Sequence, residues 1–317
     1  MIASITTSIA PGKAPEAAPG TQSRVGGVAL GITAAVTYAV GPVLMKVALD
    51  SMSVWTLLLW RTLLAAVLLW ILLAARGALR DLPATPRGWL APLAVGAVAY
   101  GGQIATFALA LQHVSASMAT IIFHTAPIVV LAAAVLGGRE RFSALRLLAV
   151  ALAVGGVAVV AAAGGDLSAQ PLGVALSLAS AVACAAVILG IDRLSDRVAP
   201  LPLAVLTITG CTLAFLVTAP LLGVGVPSDG SDWLLVVALA AVPGVIGTTA
   251  LLGAIGVIGP SLASILLTLE PPITVLLAWV ALDERLTAPQ LVGAAAILAA
   301  TVLAQRLAAR PLEVPPA

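Results

Sequence analysis

Charge is scarce in this chain. Only 9% of its 317 residues are Asp, Glu, Lys or Arg. A water-soluble domain carries about 25%, so a water-facing surface is excluded. The formal net charge of +2 is too thinly spread to make a basic face, which excludes nucleic acid as a partner. Histidine and cysteine are equally sparse. His113, His124, Cys184 and Cys211 have no companions at metal-ligand spacing, so neither a metal site nor another cofactor is expected. Both cysteines fall inside apolar runs and read as small packing residues. Gly253, Gly256 and Gly259 close a helix and follow no strand, so they are not a nucleotide loop, and direct use of ATP is not expected.

What remains is apolar. Hydrophobic residues make up 61% of the chain, and the mean hydropathy is +1.16. Ten runs reach the roughly 20 residues that a helix needs to cross about 30 Å of hydrocarbon. They are Val25–Leu49, Val54–Ala75, Trp89–Leu111, Ala116–Leu136, Leu145–Ala163, Leu172–Ile191, Leu201–Leu222, Trp233–Ile258, Leu262–Leu282 and Ala288–Leu307. In lipid each backbone polar group needs an internal partner, so each run is expected to be a helix. Ser143 suits an N-cap, Thr287 to Gln290 reads as a capping box, and Gly259-Pro260-Ser261 reads as a tight turn. The polar run from Pro227 to Asp232 reads as a loop.

The segment Ser115–Leu152 recurs without a gap 144 positions later as Gly259–Ala296. Pro127 falls on Pro271, Glu140-Arg141 on Glu284-Arg285 and Ser143 on Thr287. A unit of five helices is odd, so its two copies insert with opposite orientation. Positive charge gives the direction. With the N-terminus placed in the cytoplasm, twelve cations fall in inside connectors and only Arg285 outside. Both termini are therefore expected to be cytoplasmic, with Glu140 inside and Glu284 outside. The expected fold is an all-α membrane protein of ten transmembrane helices in two inverted five-helix repeats. Residues 1–23 are read as a disordered cytoplasmic tail, 24–164 and 165–308 as the repeats, and 309–317 as a second cytoplasmic tail.

The stretch from Ala119 to Val130, with Gly138-Arg139-Glu140-Arg141-Phe142-Ser143, resembles the first EamA repeat. The stretch from Ala263 to Trp279, with Asp283-Glu284-Arg285-Leu286-Thr287 and Gln290-Leu291-Val292-Gly293, resembles the second. Roughly residues 26–306 look like the EamA branch of the drug/metabolite transporter superfamily. That resemblance implies a ten-helix permease of the inner membrane, and many such permeases export amino acids or other small metabolites. Arg139 stands where the family often has glycine, so this connector departs from the pattern.

Glu270 lies about eight residues into span 9, about 12 Å deep at the helical rise. A carboxylate there should face a cavity or a partner, as a site for a proton or a substrate amine, or as a brace for the Pro271-Pro272 kink. His124 reaches a similar depth in span 4 and titrates near neutral pH, so it is a second proton candidate. Arg61, at similar depth in span 2, is read as a partner for Glu270, as snorkelling, or as the anchor for an anionic group of the cargo. Lys46 is read as snorkelling at the outer end of span 1. Tyr38, Tyr100, Gln103, Thr106 and Thr268 are polar candidates for the same cavity or for helix–helix hydrogen bonds. Helix kinks are expected at Pro42, Pro127, Pro243, Pro271 and Pro272, marking spans 1, 4, 8 and 9 as cavity-lining. Gly173, Ser177, Ala181 and Ala185 form a small-residue stripe on span 6, and Trp55, Trp70, Trp89, Trp233 and Trp279 sit at belt positions.

The expected function is secondary transport, as an exporter of small polar metabolites by alternating access, with proton coupling through Glu270 or His124. The partners are then a small-molecule substrate, the lipid bilayer and protons, with a homodimer left open. A membrane-embedded enzyme and a passive facilitator are the alternatives; no paired intramembrane aspartates favour the enzyme. The topology is checked by single-cysteine labelling: position 284 should label from outside in a background lacking Cys184 and Cys211, and labelling of position 140 alone would overturn the inverted arrangement.

Overall fold

The computed structural model describes residues 21–137, 143–163 and 171–308. Glu140, with the connector Arg139–Phe142, lies outside these residues, as do the two tails from 1 to 20 and from 309 to 317. Among the described residues, ten helices are long and apolar enough to span a membrane. They are α1 (Arg24–Ala48), α2 (Val54–Ala75), α3 (Pro86–Leu111), α4 (Ala116–Leu136) and α5 (Ala144–Ala162), then α6 (Pro171–Ser195), α7 (Pro200–Leu222), α8 (Gly230–Pro260), α9 (Leu262–Leu282) and α10 (Ala288–Leu307). The chain is a multi-pass membrane protein built from two inverted five-helix repeats. Glu284 marks one of its two faces and Arg76 the other.

The ends form as their residues dictate. Ser53, Thr85, Ser115 and Ser143 each accept a hydrogen bond from an amide three residues on, capping α2, α3, α4 and α5. Thr287 and Gln290 bond reciprocally, the Thr287 amide donating to Gln290 Oε1 at 2.8 Å. Gly259 has φ 76°, which breaks the helical path between α8 and α9. The segment before Trp233 differs from the loop expected there. Asp229 caps α8, and the helix already starts at Gly230. The Ser231 hydroxyl and the Asp232 amide hold the Asp229 carboxyl below its usual range. Asp232 is buried and accepts hydrogen bonds from Ser51 and from the Ser228 amide and hydroxyl.

The repeats interlock. α5 packs most extensively on α10, and α1 on the Thr248–Leu267 segment. Gly156 and Gly293 face each other, where a Cβ on either would fall 2.7 Å from the other's carbonyl oxygen. The small-residue stripe on α6 is buried, and Ser180 donates to the Gln103 carbonyl of α3 at 2.9 Å. The largest apolar cluster gathers residues such as Leu57, Leu58, Leu111, Met118 and Ile122, nearer the Glu284 face. Val98, Val217 and Val280 are more than 70% exposed and face the lipid side.

α3 and α7 approach backbone to backbone. A Cβ at Gly96 would lie 1.8 Å from the Thr207 carbonyl oxygen, whereas one at Gly102 meets nothing within 4 Å. Gly96→Ala should therefore destabilise the fold by about 1–3 kcal/mol or more through overpacking. Gly102→Ala should be neutral, or stabilising by up to about 1 kcal/mol through helix propensity. Thermal unfolding in detergent compares the two directly.

Candidate functional site

Two helices break in mid-membrane, at positions that the repeat makes equivalent. α4 runs Ala116–Phe123, turns at His124-Thr125, and resumes as Ala126–Leu136. α9 turns at Thr268-Leu269 and resumes as Glu270–Leu282. Adding 144 to 124 and 125 gives 268 and 269. The cause is proline after the turn. Pro127, and Pro271 with Pro272, occupy first-turn positions, where a missing N–H is tolerated. Each turn closes on itself through a threonine: Thr125 donates to the Ile122 carbonyl at 2.8 Å, and Thr268 to the Ile265 carbonyl at 2.6 Å. The His124 carbonyl lies at the break in α4, and Thr301 of α10 donates to it at 2.8 Å.

The breaks bring the two titratable candidates together. Glu270 opens the second half of α9, where the helix dipole favours an acid. His124 Nε2 lies 3.7 Å from Glu270 Oε2, and the side chains are only 11% and 15% exposed. His124 Nδ1 is 2.9 Å from the Thr120 carbonyl oxygen, a contact in which Nδ1 donates; this leaves Nε2 to face the acid. With one proton between them the pair is electroneutral in either arrangement. A second proton makes it cationic, and loss of the first makes it anionic.

Arg61 does not pair with Glu270. It lies within electrostatic reach of the Tyr100 hydroxyl and of Cys211 instead. It is 8% exposed, and no carboxylate lies within ion-pair distance of it among the described residues. Burial also rules out snorkelling. Tyr38 lies within electrostatic reach of Tyr100 and of Glu270, and its hydroxyl donates to Thr248 at 3.4 Å. Cys184 is also within reach of Glu270, a neighbour that sequence reading passed over.

The other candidates are placed differently. Thr106 bonds the Gly102 and Gln103 carbonyls of its own helix. Thr268 borders a groove of about 490 Å³, shared with Leu298, Ala299, Val302, Leu303 and Arg306 of α10. α1 continues as a helix through Pro42. Pro243 lies in a π-helical segment, Ala240–Gly247, and the matching helix of the first repeat has one at Val95–Tyr100. The first packs on α1 and α2, the second on α6 and α7. Such segments interrupt regular hydrogen bonding, often at functional sites. Lys46 is half-buried and does not snorkel. Its ammonium donates to the Val114 carbonyl at 3.1 Å and to that of Leu111.

The family model for the EamA-like transporter family matches residues 25–162 and 171–305, one match for each repeat. The chain belongs to this family and is a transporter-like membrane protein. No curated protein matches it. Among the solved structures that match, a crystal structure superposes with a TM-score of 0.59 at 20% identity, covering 91% of this chain and 99% of that one. At that identity the likeness shows the fold alone.

Thr301→Val should leave the His124 carbonyl without its partner from α10 and cost about 1–3 kcal/mol of stability. Thr218, whose hydroxyl bonds only carbonyls of its own helix, is the control. Thr218→Val should be close to neutral in the same unfolding measurement.

Proposed function

We propose that this protein is a secondary transporter of the cell (inner) membrane that exports small polar metabolites such as amino acids by alternating access, coupled to protons. Both termini lie in the cytoplasm in this reading, with the Glu284 face outside. The observation that carries it is the pair of repeat-equivalent breaks in α4 and α9, which put His124 and Glu270 3.7 Å apart in mid-membrane. Discontinuous helices at the interface of inverted repeats are where secondary transporters build their sites.

The charge states suggest how coupling works. A cargo ammonium is compensated best by the anionic, proton-free pair. Cargo binding then favours proton release, and proton return favours cargo release. That exchange moves a cationic group one way and a proton the other. Arg61, beside Tyr100 and apart from the pair, suits an anionic group on the same cargo, because a buried guanidinium stays charged and needs an anion.

Glu270→Gln tests the coupling. Gln keeps the shape and can hydrogen-bond but cannot titrate. In vesicles of purified protein, the variant should lose pH-gradient-driven movement, and any remaining substrate exchange should need a higher cargo concentration, because the pair can no longer become anionic. Full gradient-driven transport by the variant would remove Glu270 from the mechanism. The cargo is found by comparing metabolites of cells with and without the protein, then by the rise in thermal stability that a true ligand gives.

Position 284 is only 7% exposed, whereas Arg285 is exposed. Labelling at 285 in place of 284 therefore reads the proposed orientation without disturbing a buried contact. A cysteine there should label from outside the cell.

A further inference from the structure

The short turn between α3 and α4 is gripped from two sides by opposite charges. Lys46 of α1 donates to the Leu111 and Val114 carbonyls, at the C-terminal end of α3. Glu284, from the connector between α9 and α10, takes the N-terminal end of α4. Its Oε1 accepts from the Ala116 amide at 2.7 Å, and its Oε2 accepts from the Ser117 amide at 3.0 Å and the Ser117 hydroxyl at 2.8 Å. Each charge meets the helix end whose dipole attracts it. Glu284 is 7% exposed, so little water competes for these bonds.

α4 does not need Glu284 in order to start. Ser115 already caps the helix through the Met118 amide. The carboxylate is a second cap, supplied across 167 to 168 positions by the opposite repeat. What it adds is a tie between the repeats. The tie sits where α4 and α9 pack on each other, over Ala116–Phe123 and Glu270–Leu282. Beyond the breaks, Ala126–Leu136 packs on α6 and α10 instead, and Ile265 and Leu269 of α9 are exposed. The His124–Glu270 pair lies at the foot of this closed half. Lys46 ties the same turn to α1, which itself packs mainly on α8 and α9 of the opposite repeat, so both charges join the turn to that side of the molecule, Glu284 with the larger number of bonds.

We infer that Lys46 and Glu284 are positioning residues that clamp the α3–α4 turn and hold the Glu284 face shut over the His124–Glu270 pair, with release of Glu284 from Ala116 and Ser117 as the step that opens it. The inference rests on the alternating-access reading, but its test does not depend on transport. The repeat places Glu140 at the equivalent position, outside the described residues.

The native Cys184, half-buried and within electrostatic reach of Glu270, is the reporter in a Cys211→Ser background. The probe is a membrane-impermeant maleimide applied to one face of oriented membranes at a time. Glu284→Gln should raise the rate of Cys184 labelling from the Glu284 face about ten-fold, since hydrogen bonds to a charged group are worth about that factor or more. Labelling from the opposite face should not rise. Ser117→Ala removes one of the three bonds and keeps both amides, so it should give a smaller rise of the same sidedness. Lys46→Met should act in the same direction. An equal rise from both faces would mean general loosening and overturn the clamp, as would unchanged labelling from the Glu284 face in Ser117→Ala and Glu284→Gln. A one-sided rise in protein that moves no cargo would keep the clamp and overturn the transport reading.

Discussion

Backbone groups inside a bilayer have no water to bond, and that constraint shapes the rest of this molecule. A helix meets it by default, so any interruption needs a specific remedy nearby. α4 and α9 are interrupted at equivalent places, and the remedies can be named. Thr125 and Thr268 fold back onto their own preceding turns. Thr301 reaches from α10 to the His124 carbonyl. The α4 break is enclosed, with Thr125 buried, whereas the α9 break leaves Leu269 exposed next to the groove that Thr268 borders. The π-helical segments of α3 and α8 are a milder form of the same irregularity, each braced by helices of the opposite repeat.

Charge within the spans follows a related logic. Lys46 and Glu284 sit near one face and spend their charge on the dipoles of helix ends. Glu270 and His124 have each other. Arg61 is near a phenol and, among the described residues, has no carboxylate at ion-pair distance. The first two are satisfied in the closed form of their face, whereas the mid-membrane groups keep unused capacity for a proton or a charged cargo. A structure in which the end charges are fully bonded and the middle ones are not is suited to holding one face shut around a site that still accepts a ligand.

Much of the fold was legible in the residues. The ten helices follow from run length and from the scarcity of charge, and the inversion of the repeats from the odd number of helices in a unit. Ser143 and the pair Thr287 and Gln290 cap helices as their side chains dictate. The start of α8 was misread because Asp229 and Ser231 look like loop residues until a helix begins beneath them. Lys46 was misread as snorkelling because its acceptors, the Leu111 and Val114 carbonyls, lie 65 and 68 positions away.

The candidate site divides in the same way. Sequence alone fixed that Glu270 is an acid deep in an apolar span, that His124 shares its depth, and that prolines follow both. Those are properties of one helix, set by rise per residue and by the missing amide of proline. Only the tertiary structure decided that the two face each other, that Arg61 turns to Tyr100, that Thr268 borders a groove with α10, and that Glu284 bonds the start of α4. Depth is one coordinate. The direction in which a side chain leaves its helix depends on how that helix is rotated against its neighbours, and that rotation is set by close contacts such as Gly96 on Thr207 and Gly156 on Gly293, which no single span contains.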